Sequence, residues 1–472
     1  MRTCLLSLVA ASLLGHAQTA EVFVTSKSGD RLAAKPSASF QAKTGGPAFR
    51  IDEAARDQEI VGFGASFLEG GLVALNRLGP ARQEEALRAL FDPVRGAGFS
   101  AMKTVLAGTD FMSAGPWYTY NDNPGDVGMK LFSIRRDLGP NGLVTYIRRA
   151  RRHGQFVLQA PMDYPPDWML FDVKTRQDVD PQYFDALAAY YLRYLREYRK
   201  QGIFIDFLSL FNEPGIYTMI PPEKIRDLLK NHVGPLFERE GVKTRIQPCE
   251  PNDRKRSAQY WPVILDDPQA RKYAGAIAYH GYGYKDYDKI AELHRRYPDL
   301  KLWMTEVCHA YETGLVPRSV KLPRTDYEDG DFWGNEIFND LESGASAWIY
   351  WNMILDETGG PWLISEVHKN PDHNEQHPVL IADRQQNGIV YTGLYYYLAH
   401  FSKFVRPGAV RIGAAGSVNG VRCLAFQTKQ GGVVAQLLNR RSEPVKVDLE
   451  WRGKTLTLDL PALSITTSRW SR

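Results

Sequence analysis

The chain has 472 residues, 44% of them hydrophobic and 24% charged, the balance of a soluble globular protein with material for a large core. The formal charge of +4 is scattered in short runs such as "RDLLKNH" and "HRRYPD", which read as solvated helix faces and exclude a nucleic-acid surface. Past the N-terminus no segment approaches the ~18 uninterrupted apolar residues of a membrane span.

The first twenty residues, "MRTCLLSLVAASLLGHAQTA", read as a secretory signal: Arg2, an apolar stretch from Leu5 to Leu14, then small residues allowing cleavage after Ala17 or Ala20. With no Asn-x-Ser/Thr sequon in the chain, this points to a bacterial protein that is secreted or periplasmic. Removing the signal leaves Cys249, Cys308 and Cys423, an odd set without a close pair, so neither a disulfide framework nor a zinc site is implied. Residues 21–55 have strand character and are expected to join a β-domain at the other end of the chain.

Residues 56–405 alternate short β-like runs with amphipathic helical stretches. Eight runs qualify as strands: "IVGFGASF", "SAMKTVLAG", "QFVLQAP", "FIDFLSLFNEP", "TRIQPCEP", "AGAIAYHGY", "LKLWMTEV" and "ASAWIYWNM". Between them lie helix patterns, of which "PQYFDALAAYYLRYLREYRKQG" and "PEKIRDLLKNHVGPLFEREG" are the longest. Eight strand–helix units predict an α/β fold, a (β/α)8 TIM barrel. The absence of a G-x-G-x-x-G turn weighs against a doubly wound sheet. Residues 406–472 lose the helical period and alternate in strand-length runs broken by Gly, Asn and Pro, which predicts an attached C-terminal antiparallel β-sandwich domain.

In such a barrel the chemistry sits at the C-terminal ends of the strands. Those ends carry Asp110, Asp163, Glu213, Glu250, His280 with Tyr282, Glu306, and Trp351 with Asn352. Glu213 on strand four and Glu306 on strand seven face one another across the mouth. Two opposed carboxylates suit acid/base and nucleophilic work on a glycosidic bond, with retention at ~5–5.5 Å and inversion at ~6.5–9.5 Å. A lone strand-end acid such as Glu250 reads more simply as a cap or surface charge. His368, His373 and His377 in "EVHKNPDHNEQHP" lack the spacing of a metal site and read as a polar active-site loop.

The ordered set "VGFGASFLEGG", "TDFMSAGPWYTYNDNPGD", "FNEP", "AYHGY", "WMTE", "WNMILDETGGP" and "YYYLAHFSKFVRPGAVRIG" resembles glycoside hydrolase family 30 of clan A over almost the whole chain. The resemblance implies Glu213 as general acid/base and Glu306 as nucleophile, with Asn212 donating to the substrate 2-hydroxyl. It further implies Tyr282 hydrogen-bonding the nucleophile, His280 ordering the network, Asp110 gripping sugar hydroxyls and Trp351 as a sugar platform. Trp117 and "YTYND" suit sugar-stacking walls.

Three positions depart from the family pattern. Lys103 stands where glucosylceramidase-like members carry arginine, and Tyr350 where an acid precedes the tryptophan. Met162, Asp163 or Tyr164 stands where a tryptophan lines the pocket, and Asp163 there is a candidate ligand for an extra hydroxyl. The expected activity is that of an exported retaining β-glycosidase, glucosylceramidase-like and exo-acting, on a carbohydrate or glycoconjugate, with no metal or organic cofactor. The alternatives are an endo-acting β-glycanase of the same family, on β-1,6-glucan, galactan or xylan, and a non-catalytic carbohydrate-binding protein. Oligomeric state has no signature in the sequence.

Overall fold

The computed structural model describes residues 18–42, 45, 48–112, 115, 117–174, 177–311, 314–362 and 374–471. Eight parallel strands form the central sheet: β1 (Gly62–Ser66), β2 (Ala101–Lys103), β3 (Val157–Pro161), β4 (Phe207–Ser209), β5 (Arg245–Gln247), β6 (Ile277–His280), β7 (Leu302–Glu306) and β8 (Ala345–Asn352). Their order is β5-β4-β3-β2-β1-β8-β7-β6. The ends of that row are tied by a parallel bridge from Ile246 to Ala274, where the Gly275 N–H donates to the Ile246 carbonyl at 2.6 Å. All eight strands lie within the runs read from the sequence.

Strand alternation decides which side chains enter the barrel. Ala101, Phe207, Trp303, Ala347 and Ile349 form one buried cluster inside it, with the Phe207 and Trp303 rings 4.4 Å apart between centroids. The intervening Met102, Leu208, Met304, Trp348 and Tyr350 belong to the larger core beneath the helices. This packed interior closes the lower barrel and leaves only the strand ends open to solvent.

The helix Phe184–Lys200 buries Leu187, Tyr191, Tyr194, Leu195 and Tyr198, the face expected from its period. The next expected helix is interrupted: Pro222–Leu228 passes through a π turn at Leu229–Val233 into Gly234–Arg239. Pro235 lacks an N–H and its ring crowds the carbonyl four residues back, which a wider turn relieves. The helix Tyr327–Glu342 carries glycines because the helix Gly393–Phe404 presses on it. A Cβ on Gly330 or Gly334 would lie 2.6 or 2.4 Å from the Tyr397 ring.

Nine strands close into the second domain, in the order Thr19–Ser26, Ala33–Ala42, Lys454–Leu460, Val445–Trp451, Ala48–Glu59, Val410–Gly416, Val421–Gln427, Val433–Asn439 and Ser464–Trp470. Every neighbouring pair is antiparallel except Asp448–Glu450 against Ala48–Arg50. The segment ahead of the barrel supplies three of these strands and runs to Glu59, past the boundary drawn at residue 55. Ala20 is buried in the sandwich core, so of the two cleavage points only the one after Ala17 leaves the first strand whole. Among the described residues no helix is long and apolar enough to cross a membrane.

His400 joins the two domains. Its Nδ1 lies 2.7 Å from Thr467 Oγ1 and its Nε2 2.9 Å from Thr25 Oγ1, while Gln436 Nε2 donates to its carbonyl at 2.6 Å. Burial drops its pKa to about 3, so the folded protein holds it neutral. In an unfolded chain a histidine titrates near ~6.5. Below that pH the unfolded state binds a proton that the folded state refuses, so this contribution is complete above ~6.5 and is lost progressively as pH falls. Thermal melting between pH 7 and pH 4 is therefore expected to show a declining Tm, with a shallower decline in His400→Gln; equal slopes would contradict this.

Candidate active site

At the C-terminal end of the barrel opens a cleft of about 790 Å³ lined by Asp110, Asp163, Asn212, Glu213, Tyr282, Glu306 and Trp351, and by the loops that follow strands four to seven. Seven of the eight strands contribute to a buried network at its floor, and Lys103 is the centre. Its Nζ, fully buried, donates to Glu306 Oε2 at 2.7 Å, to Asn212 Oδ1 at 3.3 Å and to Glu250 Oε2 at 3.4 Å, and sits 5.0 Å from the Trp351 ring centroid. Gln159 Nε2 donates to the other Glu250 oxygen at 2.9 Å. Tyr282 OH donates to Glu306 Oε1 at 3.0 Å, as expected for the group beside a nucleophile.

His280 lies between carboxylates. Its Nδ1 is 2.7 Å from Glu213 Oε1 and 3.6 Å from Glu306 Oε1, and its Nε2 is 3.3 Å from Glu250 Oε2. Burial alone would make this ring less basic, but the Glu306 charge and the hydrogen bonds to Glu213 and Glu250 overcome it and push its pKa up to about 9. Burial likewise raises the Glu213 carboxyl, reinforced by the Glu306 charge and opposed by the His280 contact and by Lys103. Both members of the pair thus hold protons more firmly than usual, and their 2.7 Å contact keeps one available to Glu213 at neutral pH. Glu250 goes the other way: burial would raise it, but Lys103 and His280 together hold it down at about 2.

A residue ahead of a proline ordinarily keeps an extended backbone, and Glu213, ahead of Pro214, does not. Its φ is +42°, in the left-handed region, which costs a non-glycine residue about 1–3 kcal/mol. Strand β4 has already ended at Ser209, and the chain reverses at Glu213 itself, whose carbonyl accepts from the Ile216 and Tyr217 N–H groups at 3.0 and 3.2 Å. The Glu213 N–H is anchored on the Glu250 carbonyl at 3.0 Å. These bonds hold the residue in its unfavourable conformation.

Several other expectations need correction. Glu250 is no cap or surface charge: it is fully buried, because Lys103, His280 and Gln159 compensate it. Of the three residues competing for the missing tryptophan, alternation along β3 decides. Val157 packs toward the barrel interior and Gln159 reaches Glu250 there, which places Asp163 inward in the cleft and Met162 in the outer core. Tyr164 stacks edge-on between Trp117 and Tyr217, at 4.3 and 5.4 Å between centroids, forming an aromatic wall. Tyr350 points away from the cleft, one residue out of phase with Trp351, and its OH donates to the His377 carbonyl at 2.9 Å.

Asp110 lies in the cleft and accepts from Asn374 Nδ2 at 3.2 Å. His377 serves packing, not the cleft: its Nδ1 accepts from the Arg324 N–H at 3.0 Å and its Nε2 meets Asp329 Oδ2 at 2.7 Å. His368 and His373 fall outside the described residues. The donor atoms of Glu213, His280 and Glu306 all lie within 4.8 Å of one another, a reach that a metal site would share. Here Lys103 already pairs with Glu306 and both His280 nitrogens face carboxylates, so the donor set fits a proton network better than a cation.

A family model described as "Glycosyl hydrolase family 30 TIM-barrel domain" matches residues 60–405, and a second, "Glycosyl hydrolase family 30 beta sandwich domain", matches residues 408–468. The chain belongs to glycosyl hydrolase family 30. Among curated family relatives, "Putative glucosylceramidase 4" of Caenorhabditis elegans is 27% identical over 89% of this chain and 82% of that protein. "Endo-1,6-beta-D-glucanase" of Neurospora crassa is 27% identical over 86% of each. The solved structure of an endo-beta1,6-glucanase superposes with a TM-score of 0.83 at 21% identity, covering 96% of this chain and 99% of that one. SrfJ from Salmonella typhimurium superposes with a TM-score of 0.85 at 22% identity, covering 96% and 100%.

The family assignment makes the chain a glycoside hydrolase and gives the Lys103 network a functional setting. Lys103→Met would leave Glu306 and Glu250 buried without their cation, a loss worth roughly 100-fold or more in kcat/KM on an aryl glycoside. Lys103→Arg keeps the charge and should retain more activity than the methionine variant. Steady-state kinetics on both, with melting curves to confirm folding, checks this; a methionine variant as active as wild type would show that the ammonium is dispensable.

Proposed function

We propose that the chain is an exported, retaining β-glycosidase that works by double displacement, with Glu306 as nucleophile and Glu213 as acid/base. The observation that carries this reading is the approach of the Glu213 and Glu306 carboxylate oxygens to within 4.8 Å of each other. Oxygens this close favour the short carboxyl separation of a retaining pair over the wider one of an inverting enzyme.

Glu306, oriented by Lys103 and Tyr282, attacks the anomeric carbon as Glu213 delivers its proton to the leaving oxygen. Lys103 occupies the Asn212 Oδ1, which leaves the amide N–H₂ to face the sugar and donate to its 2-hydroxyl as positive charge develops at the ring. After the leaving group departs, Glu213 takes a proton from water, and that water displaces Glu306 from the sugar. The proton taken from water returns Glu213 to its acid form, with His280 Nδ1 2.7 Å from its carboxyl.

Asp110, Asp163, Asn212 and Trp351 line the cleft with this pair and suit the glycone. The rest of its wall is Tyr217, Asn252, Asp253, Lys255, Lys285 and Asp286, with apolar surface at Ile216 and Leu315. The first reading is a glucosylceramidase-like, exo-acting enzyme. The polarity of that remaining wall favours a sugar over a ceramide as leaving group, and so supports a second reading as an endo-acting β-glycanase on β-1,6-glucan, in line with the relatives named for that activity. Export rests on the N-terminal signal pattern.

Glu213→Gln and Glu306→Gln are each expected to lower aryl β-glycoside hydrolysis by at least about 100-fold. In the wild type, NMR of the first-formed product should show the β-anomer. The raised Glu213 pKa predicts activity that persists through neutral pH and falls on the alkaline side as that proton is lost. Inverted product, or near wild-type rates in both variants, would overturn the assignment. Chain-length analysis of products from β-1,6-glucan separates exo from endo action.

A further inference from the structure

Asp163 lines the cleft together with Glu213 and Glu306. It is 5% exposed, and its Oδ1 is buried with no hydrogen-bond partner among the described residues. Every other buried acid of the network has its partners: Glu306 has Lys103 and Tyr282, Glu250 has Lys103, Gln159 and His280, and Glu213 has His280. A buried oxygen without a partner is costly, about 1–3 kcal/mol, and survives where a ligand supplies the missing bond.

The position of the group limits that ligand. Asp163 follows β3 on the inward phase and shares the cleft wall with Asp110, Asn212, Trp351 and the catalytic pair. Its neighbours Glu306, Glu250 and Glu213 are acids, and Lys103 is the nearby cation. Burial, seconded by those acids and opposed by Lys103, keeps the carboxyl protonated well beyond the ordinary range. A carboxyl accepts from a hydroxyl in either state, and its upward shift favours the form that can also donate to one. An aromatic wall at this position could stack on a sugar ring but could not bond a hydroxyl this way.

We propose that Asp163 is the specificity-determining residue of the glycone subsite, its unpartnered carboxyl taking one hydroxyl of a neutral pyranose other than the 2-hydroxyl held by Asn212. This rests on the glycosidase reading and names the substrate class of that same site: neutral, fully hydroxylated pyranosides, with analogues lacking that hydroxyl rejected because they leave the carboxyl buried and unpaired.

The test is a matrix of wild type, Asp163→Asn and Asp163→Ala against 4-nitrophenyl β-D-glucopyranoside and its 3-, 4- and 6-deoxy analogues. One analogue should lose about 10- to 100-fold in kcat/KM with wild type beyond the other two, and that excess should vanish in Asp163→Ala. Asp163→Asn, which keeps a donor and an acceptor, should preserve most of the discrimination and covers the case in which the alanine variant does not fold. The same matrix is read by binding in a Glu306→Gln background, where turnover is not needed. If wild type hydrolyses nothing yet the binding discrimination depends on Asp163, the glycosidase reading fails and the subsite stands. If Asp163→Ala weakens all analogues by one common factor in both readouts, Asp163 is merely a charge partner of Lys103 and the proposal is overturned.

Discussion

The Lys103 ammonium, fully buried, stands 2.7 Å from Glu306, 3.4 Å from Glu250 and 3.3 Å from the Asn212 carbonyl oxygen, beneath the Trp351 ring. Those residues come from the ends of strands seven, five, four and eight, and Lys103 itself ends strand two. Burying two carboxylates at a barrel mouth is unfavourable unless a cation is buried with them. The position of Glu306, the orientation of the Asn212 amide and the ionisation of Glu250 therefore all depend on one side chain. A lysine meets several acceptors as a compact point charge, whereas the planar guanidinium of arginine would favour bidentate pairing with one carboxylate.

The acid/base residue is governed by a different constraint. Glu213 sits in the left-handed region, pinned by backbone bonds to strand five and to its own loop. That reversal presents its carboxyl to His280, which joins it to Glu250. Two neighbouring acids in one cleft are consequently shifted oppositely: burial raises Glu213 against the pull of His280 and Lys103, while Lys103, in direct contact, and His280 hold Glu250 down at about 2. Such a split between adjacent carboxyls is what acid-catalysed displacement at neutral pH needs.

Much of this was legible in the sequence, for stated reasons. A buried parallel strand reads as an apolar run, and seven of the eight runs carry a polar group at or just past their ends because the barrel opens there. Glu213, Glu306, His280 and Tyr282 could be placed on those ends directly. Glu250 could not be recognised, because an acid followed by Pro251 looks like a loop charge and its partners lie on strands two, three and six. Lys103 was visible as a departure, but its role came only with distances. Asp163 needed the register of β3, since a one-residue slip would have sent Met162 into the cleft instead. The helix Tyr327–Glu342 was hidden by glycines that exist to admit the Tyr397 ring. The reversal at Glu213 contradicts the local preference ahead of a proline, as sites held by long-range bonds often do.

The central claim is that Glu306 forms a covalent bond to the sugar while Glu213 manages the proton. Incubating the protein with an activated 2-deoxy-2-fluoro β-glycoside and mapping the labelled peptide by mass spectrometry tests it most directly. The account predicts a stoichiometric glycosyl adduct on Glu306, within "LWMTEV", that decays as activity returns. An adduct on another residue, or steady turnover of that substrate with no adduct at any time, would contradict it.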